Sequence, residues 1–482
     1  MPVTALGRLR VVVAAAAALA VLSAGETRAN GRFPTAQEVV VGPGARSDVI
    51  VLRVTFGLLV SRDAGRNFRW YCEDLIYYPF FPGLISDPPV EVTALGDIAV
   101  GCEDGARALT DGCDVRDVPS VSHREITDFA MTPDGAMLYA AESTTGDRSF
   151  VLRAGSDLSF RRMGEGVERL RFLTVEVAAS RPERVYASGF DESAARAPRV
   201  LRSDDGGATF RELRATGGFG ELAYVSGVDP ADPDVLYVRA VEGLGSALLR
   251  SGDGGASFEP VARTGDAMTG FALSDDGRTV WYGSPEEGLF RSTDGGRSFA
   301  RLSGLPTHGL RFHAGTLWGV TDWVRQPWAL GRSMDGGESF EAVLRFEAVG
   351  GPPVCARPSA ATALCDDRWA TLRASIASPT TRLDSGVAGD ASRPDVTLPD
   401  AGPPDASSAL PDAGPPPTPT VAPDCGCRIG STRPPRGACP LLLIALGRRR
   451  RARGAGARPG PRRLTRGPAA ALARAASRRR AS

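Results

Sequence analysis

The chain has 482 residues, a formal net charge of +1 at pH 7, 57 glycines and 37 prolines, and its 57 basic residues are all arginine. Residues 447–482 hold 13 Arg and no acid, and taking those 13 from the net +1 leaves the remainder at −12. An acidic body argues against a nucleic-acid partner, and the Gly and Pro content suits a turn-rich β protein.

In chain order, Arg8 and Arg10 precede an apolar run from Val11 to Ala24 that only Ser23 interrupts. This is the charged, then apolar, then small-residue order of a secretory signal, too short to span a membrane comfortably. Residues 1–29 are therefore expected to be a signal peptide cleaved after Ala29, with Ala24 the second choice.

From residue 30 to 346 one pattern, Ser-x-Asp-x-Gly-x-polar-Phe, returns five times. The copies are Ser61, Asp63, Gly65 and Phe68; Ser203, Asp205, Gly207 and Phe210; Ser251, Asp253, Gly255 and Phe258; Ser292, Asp294, Gly296 and Phe299; and Ser333, Asp335, Gly337 and Phe340. An Asp that can accept turn amides, a glycine free to take positive φ and an aromatic re-entering the sheet describe a tight turn between two strands. Two eroded copies at Asp111 and Asp157 make the Asp-to-Asp spacings 48, 46, 48, 48, 41 and 41. That period is the length of a four-stranded propeller blade.

Upstream of each box, two apolar runs flank a polar turn, as in Val90-Glu91-Val92 to Ile98-Ala99-Val100 and Val175-Glu176-Val177 to Val185-Tyr186. Each unit thus supplies about four short strands that must stack radially to cover their faces. The expected fold is all-β, a seven-bladed β-propeller.

Export changes how the cysteines read, because thiols pair outside the cytoplasm. Cys355 and Cys365 flank residues 356–364 in a closing segment at 347–384 and are expected to bridge. Cys72, Cys102 and Cys113 leave one over, pairing as Cys102–Cys113 or Cys72–Cys113. Without paired C-x-x-C spacing, neither a metal nor a cofactor is expected. Residues 385–424 are a Pro/Ala/Asp-rich linker expected to be disordered. Residues 425–482 carry Cys425 and Cys427, an apolar run ending at Leu446 and the arginine cluster.

The boxes resemble the Asp-box (BNR) repeats of sialidases, sortilin-type receptors, xyloglucanases and photosystem II assembly propellers. The resemblance implies a propeller whose boxes lie at the blade periphery, and it leaves the task open. The end of the chain is similar to the MYXO-CTERM sorting tail of myxobacterial exported proteins, which implies surface sorting with Cys425 and Cys427 at the processing site. The apolar run from Pro440 to Leu446 is far shorter than the ~20 residues a span needs.

A sialidase needs three arginines on a carboxylate, a Tyr nucleophile assisted by Glu, and a proton-transferring acid. Gly31-Arg32-Phe33-Pro34 is similar to the motif delivering one such arginine. Tyr139, Tyr186, Tyr237 and Tyr282, however, read as buried strand aromatics, and His123, His308 and His313 stand isolated. Two loops depart from the repeat and offer aromatics for contact: Tyr77 and Tyr78 between units one and two, and Trp323 and Trp328 in unit seven. The expected function is a monomeric, exported, non-catalytic scaffold for a protein or glycan at the cell surface, touching the membrane only through its tail. The alternative is a glycoside hydrolase.

Overall fold

Short apolar runs separated by Gly, Asp and Pro turns fold as hairpins, and four in succession make one twisted sheet. The computed structural model describes residues 33–76, 87–193 and 195–377. The expected leader, Tyr77 and Tyr78, and the chain from the linker onward, Cys425 and Cys427 included, lie outside them.

Among the described residues there are seven antiparallel sheets, each built from consecutive strands in sequence order. Blade one runs Ala36–Val41, Ile50–Val54, Gly57–Ser61 and Arg69–Tyr71. Blade three adds a short fifth strand, Val167–Glu168, on its third. The inner strands of the others are Val90–Val92, Glu125–Met131, Leu170–Val177, Leu222–Val228, Gly270–Leu273 and Thr307–His313. They touch one another in order around the axis, and the seventh meets the first. The fold is a seven-bladed β-propeller.

Neighbouring blades are tied by an aromatic on the second strand, opposite the Arg that precedes each box position. Tyr139 and Tyr186 donate their hydroxyls to Pro182 O and Pro233 O of the next blade at 2.9 and 2.8 Å. Tyr237 donates to Gly295 O at 2.8 Å, and Trp281 Nε1 to Gly336 O at 2.9 Å. In blade six this position belongs to Trp281, paired with Arg291, and not to Tyr282, which faces Phe290 one residue further on. All four tyrosines are buried, as expected, but Tyr282 packs on Phe290 and Phe299 instead of bonding across the seam.

Because every blade is made of its own four strands, no strand is shared across the closing seam. Residues after blade seven do that work. Gly350 N donates to Phe68 O at 3.0 Å and Trp70 N to Gly351 O at 2.8 Å, which extends the outer edge of blade one. A helix then forms over Ala360–Ile376, started by a reciprocal cap between Ser359 and Thr362. Its Trp369 lies 5.7 Å from the Trp70 ring, and Arg368 pairs with Asp74.

The cysteines correct the expected pairing. Cys365 bridges Cys72 at the end of blade one, and Cys113, in the eroded box of blade two, bridges Cys355. Cys355 and Cys365 do not pair with each other, because the first lies before the helix and faces blade two while the second lies on the helix face turned to blade one. Neither alternative for Cys113 holds. Cys102 is free and buried, its thiol pushed up to about 12 by burial. Two disulfides indicate an oxidising environment. Among the described residues no helix is long and apolar enough to cross a membrane.

The two tryptophans of unit seven are also corrected. They are not an exposed platform: Trp323 is 5% and Trp328 7% exposed. Trp323 Nε1 donates to Pro34 O at 2.6 Å, and its ring lies 5.1 Å from Phe346 and 6.2 Å from Phe33. Trp328 stacks on Phe340 at 5.8 Å. The inserted loop folds inward because two large apolar faces gain more by covering the seam than by meeting water.

Candidate functional site in the axial channel

The five boxes form the turns between third and fourth strands, at the rim, and their polar atoms are spent on the turn itself. In the blade-five copy Ser251 Oγ donates to Asp253 Oδ1 at 2.8 Å and accepts from Gly255 N at 2.9 Å. Asp253 Oδ1 accepts from Ser257 N at 2.9 Å and Oδ2 from the Ser257 hydroxyl at 2.6 Å. The copies at Ser61, Ser203, Ser292 and Ser333 repeat this, with Gly N to Ser Oγ distances of 2.9, 2.8, 2.9 and 2.7 Å. The second glycine is required twice over in the blade-six copy: Gly296 has φ of 71°, and a Cβ there would stand 2.5 Å from the Tyr237 ring of the preceding blade. Asp111 and Asp157 keep only weaker versions, as at 3.2 Å from Ser159 N.

Such saturation holds the carboxylates ionised. The bonds from Ser257 bring Asp253 down to about 2, and Asp294 and Asp335 also lie well below the ordinary range. Removing the buried hydroxyl leaves the Gly255 amide unpaired, so Ser251→Ala is expected to cost about 1–3 kcal/mol in chemical denaturation. An unchanged midpoint would show that the turn does not need it.

The site chemistry lies at the hub instead. Five inner strands carry a β-bulge, leaving Gln37, Thr127, Leu173, Ser226 and His308 as the extra residues. A bulge re-aims side chains, here around the axis. The channel has an upper chamber of about 380 Å³ at the start of the inner strands and a lower one of about 800 Å³ at their ends. Both are lined by Glu38, Glu91, Glu176, Ser226, Phe271, Leu310 and Arg311, which therefore form its waist.

Charge at the waist is unevenly shared. Blades one, two and four contribute Glu38, Glu91 and Glu176, blade seven contributes Arg311, and Asp128 of blade three lines the upper chamber alone. Glu91 is 6% exposed, and its Oε1 accepts only the Val92 amide, at 2.9 Å. Asp128 Oδ2 accepts Val175 N at 2.9 Å, stitching blade three to blade four. Thr174 does the same for Val225 N at 3.0 Å. Glu38 is paired with Arg53 at 3.2 Å. In the upper chamber Arg239 lies over the Tyr224 ring at 4.3 Å and donates to Met268 O at 2.7 Å.

Burial raises the carboxyls of Glu91, Asp128 and Glu176, none of which has an ion-pair partner among the described residues. It lifts Asp128 well above its usual value, with Glu176 adding repulsion, and it lifts Glu91 against the pull of Arg311. Glu176 is pushed up to about 7 by burial, opposed by Arg311 and assisted by Glu91 and Glu38. Asp128 and Glu176 keep part of their surface open to the channel although the fold surrounds them. Burial also lowers His308, and it lowers His313 with the help of Arg311.

The sign of the pH effect follows. A carboxyl raised in the folded state binds its proton more tightly there, so its contribution is complete below its ordinary value of 4.5 and is lost as pH rises through about 7. Stability is expected to decline across that window, and Glu176→Gln is expected to flatten the decline. A variant with the wild-type slope would assign the effect elsewhere. The box aspartates act in the opposite sense, losing their contribution as pH falls from 3.8 towards 2.

None of these waist residues stood out from the sequence. The signal was present, since Glu91 and Glu176 each interrupt an innermost apolar triplet, Val-Glu-Val. A charge at the centre of a hub strand has only the channel to face. Among the described residues no group of three or more His, Cys, Asp or Glu is arranged to hold a metal ion.

No family model matches the chain, and no curated protein matches it. Among solved structures it is similar to a GH74 enzyme of Niastella koreensis at 14% identity, covering 64% of this chain and 69% of that one with a TM-score of 0.32. A GH74 xyloglucanase from Xanthomonas campestris shares 16% identity over 66% of this chain and 65% of its own, with a TM-score of 0.30. An ancestral GH74 enzyme shares 13% identity over 64% of this chain and 50% of its own, at 0.31.

Proposed function

We propose that this propeller is an exported, non-catalytic binding module that takes a protein or glycan ligand at its axial channel. The observation that supports this most is the waist itself, an open polar passage where the side chains of Glu176 and Arg311 make no hydrogen bond or ion pair among the described residues. The two disulfides agree with work outside the cytoplasm. The Asp-box and sorting-tail resemblances extend the reading to display at the cell surface through residues 425–482, with Cys425 or Cys427 processed and the body monomeric. Mass spectrometry of both termini of the mature protein tests the export half; an intact Met1 overturns it. A glycan array together with a peptide array tests the binding half, and silence on both overturns it.

The glycoside hydrolase reading has its own support. Asp128 and Glu176 sit on adjacent blades in the channel and hold protons more tightly than free carboxyls, as a general acid must. Turnover of fluorogenic glycosides abolished by Asp128→Asn or Glu176→Gln would replace the binding reading with this one.

A further inference from the structure

Glu91 of blade two and Glu176 of blade four share the waist with the guanidinium of Arg311 on blade seven, and blade four lies opposite blade seven in a seven-membered ring. The side chains of Glu176 and Arg311 make no hydrogen bond or ion pair among the described residues, although Arg311 opposes the upward shift of Glu176. A buried charge can be matched in this fold, as at Arg184, 2% exposed, which is held by Asp204, Asp234 and the Tyr186 hydroxyl. Opposite charges that line one cavity without meeting leave both desolvated without the compensation of contact.

A ligand of one sign does not relieve this. An added cation at Glu176 is repelled by Arg311, and an added anion at Arg311 is repelled by Glu176 and Glu91. A molecule with both signs completes both halves at once through charge-assisted bonds. Size agrees, and part of the wall is apolar. The upper chamber, about 380 Å³, falls in the ~300–1,000 Å³ range of small-ligand pockets, and Phe271, Leu310 and Tyr224 offer an apolar wall.

We propose that the waist is a receptor for a small zwitterion, a free amino acid or a short peptide with both ends unblocked. Its carboxylate meets Arg311 and its ammonium meets Glu176 and Glu91. Arg239, with no carboxylate partner among the described residues, extends the cationic wall into the upper chamber towards the carboxylate end. This deepens the binding reading above and rests on it.

The test is calorimetric titration of the whole protein at pH 8 and low salt, with alanyl-phenylalanine, its N-acetyl form, its C-terminal amide and glucuronate. The dipeptide is expected to bind, and each blocked form to bind about tenfold more weakly or worse, because each loses one charge-assisted contact. Arg311→Gln is expected to erase the preference for a free carboxylate, and Glu176→Gln the preference for a free ammonium. Absence of heat with the dipeptide overturns the inference, as does glucuronate binding as tightly as the dipeptide, or blocked forms binding equally well. The ligand series uses the unaltered protein, so a variant that fails to fold does not weaken it. If the dipeptide is silent while the arrays report a ligand, only this inference falls; if all are silent, the binding reading falls with it.

Discussion

The double variant Cys72→Ser, Cys365→Ser is expected to lose about 3–5 kcal/mol of stability relative to the oxidised wild type in denaturation without reductant. The bridge joins residues 293 apart, so in the unfolded chain it removes the freedom of a loop that spans nearly the whole propeller. In the folded chain it holds the helix Ala360–Ile376 on blade one, where Arg368 and Trp369 make the remaining contacts. The Cys113–Cys355 bridge spans 242 residues and closes a second, overlapping loop, so reducing both costs less than the sum of two separate losses. A reduced protein that unfolds at the same midpoint as the oxidised one would show that the ring closes without its clasp.

Trp323→Ala is expected to cost about 3–5 kcal/mol, the range for deleting a buried large aromatic. Its ring fills the seam between blade seven and the strap at Phe33 and Pro34, and its indole N–H satisfies Pro34 O. Phe346, which it also touches, packs edge-on against Phe56 of blade one at 5.4 Å. Deleting Trp323 therefore opens a cavity where the first and last blades meet. Leu244→Ala, at a residue 90% exposed, serves as the control and is expected to shift stability by less than about 0.5 kcal/mol. If the two variants melt alike, Trp323 is not part of the closure and the contact-surface expectation for it returns.

Both predictions concern the seam, the part of the fold least legible in the sequence. The sequence contains the blades because each is a local object. The Ser251, Asp253 and Gly255 bonds connect residues two to four apart, so composition and spacing are enough to specify them. Register inside a hairpin was harder. Trp281 and Tyr282 are adjacent aromatics, and only pairing with Arg291 shows which one crosses to the next blade. The waist was harder still, because Glu91 and Glu176 lie inside triplets whose apolar flanks dominate any pattern.

By itself, then, the chain specified an all-β ring of seven repeats with rigid turns at its rim, since these follow from contacts within one repeat. Only the tertiary structure decided that Cys365 meets Cys72 and not Cys355, that Trp323 points inward, and that Glu176 and Arg311 line one channel. Those pairings join residues more than a hundred positions apart, and their geometry exists only once the ring has closed and brought the ends of the chain together.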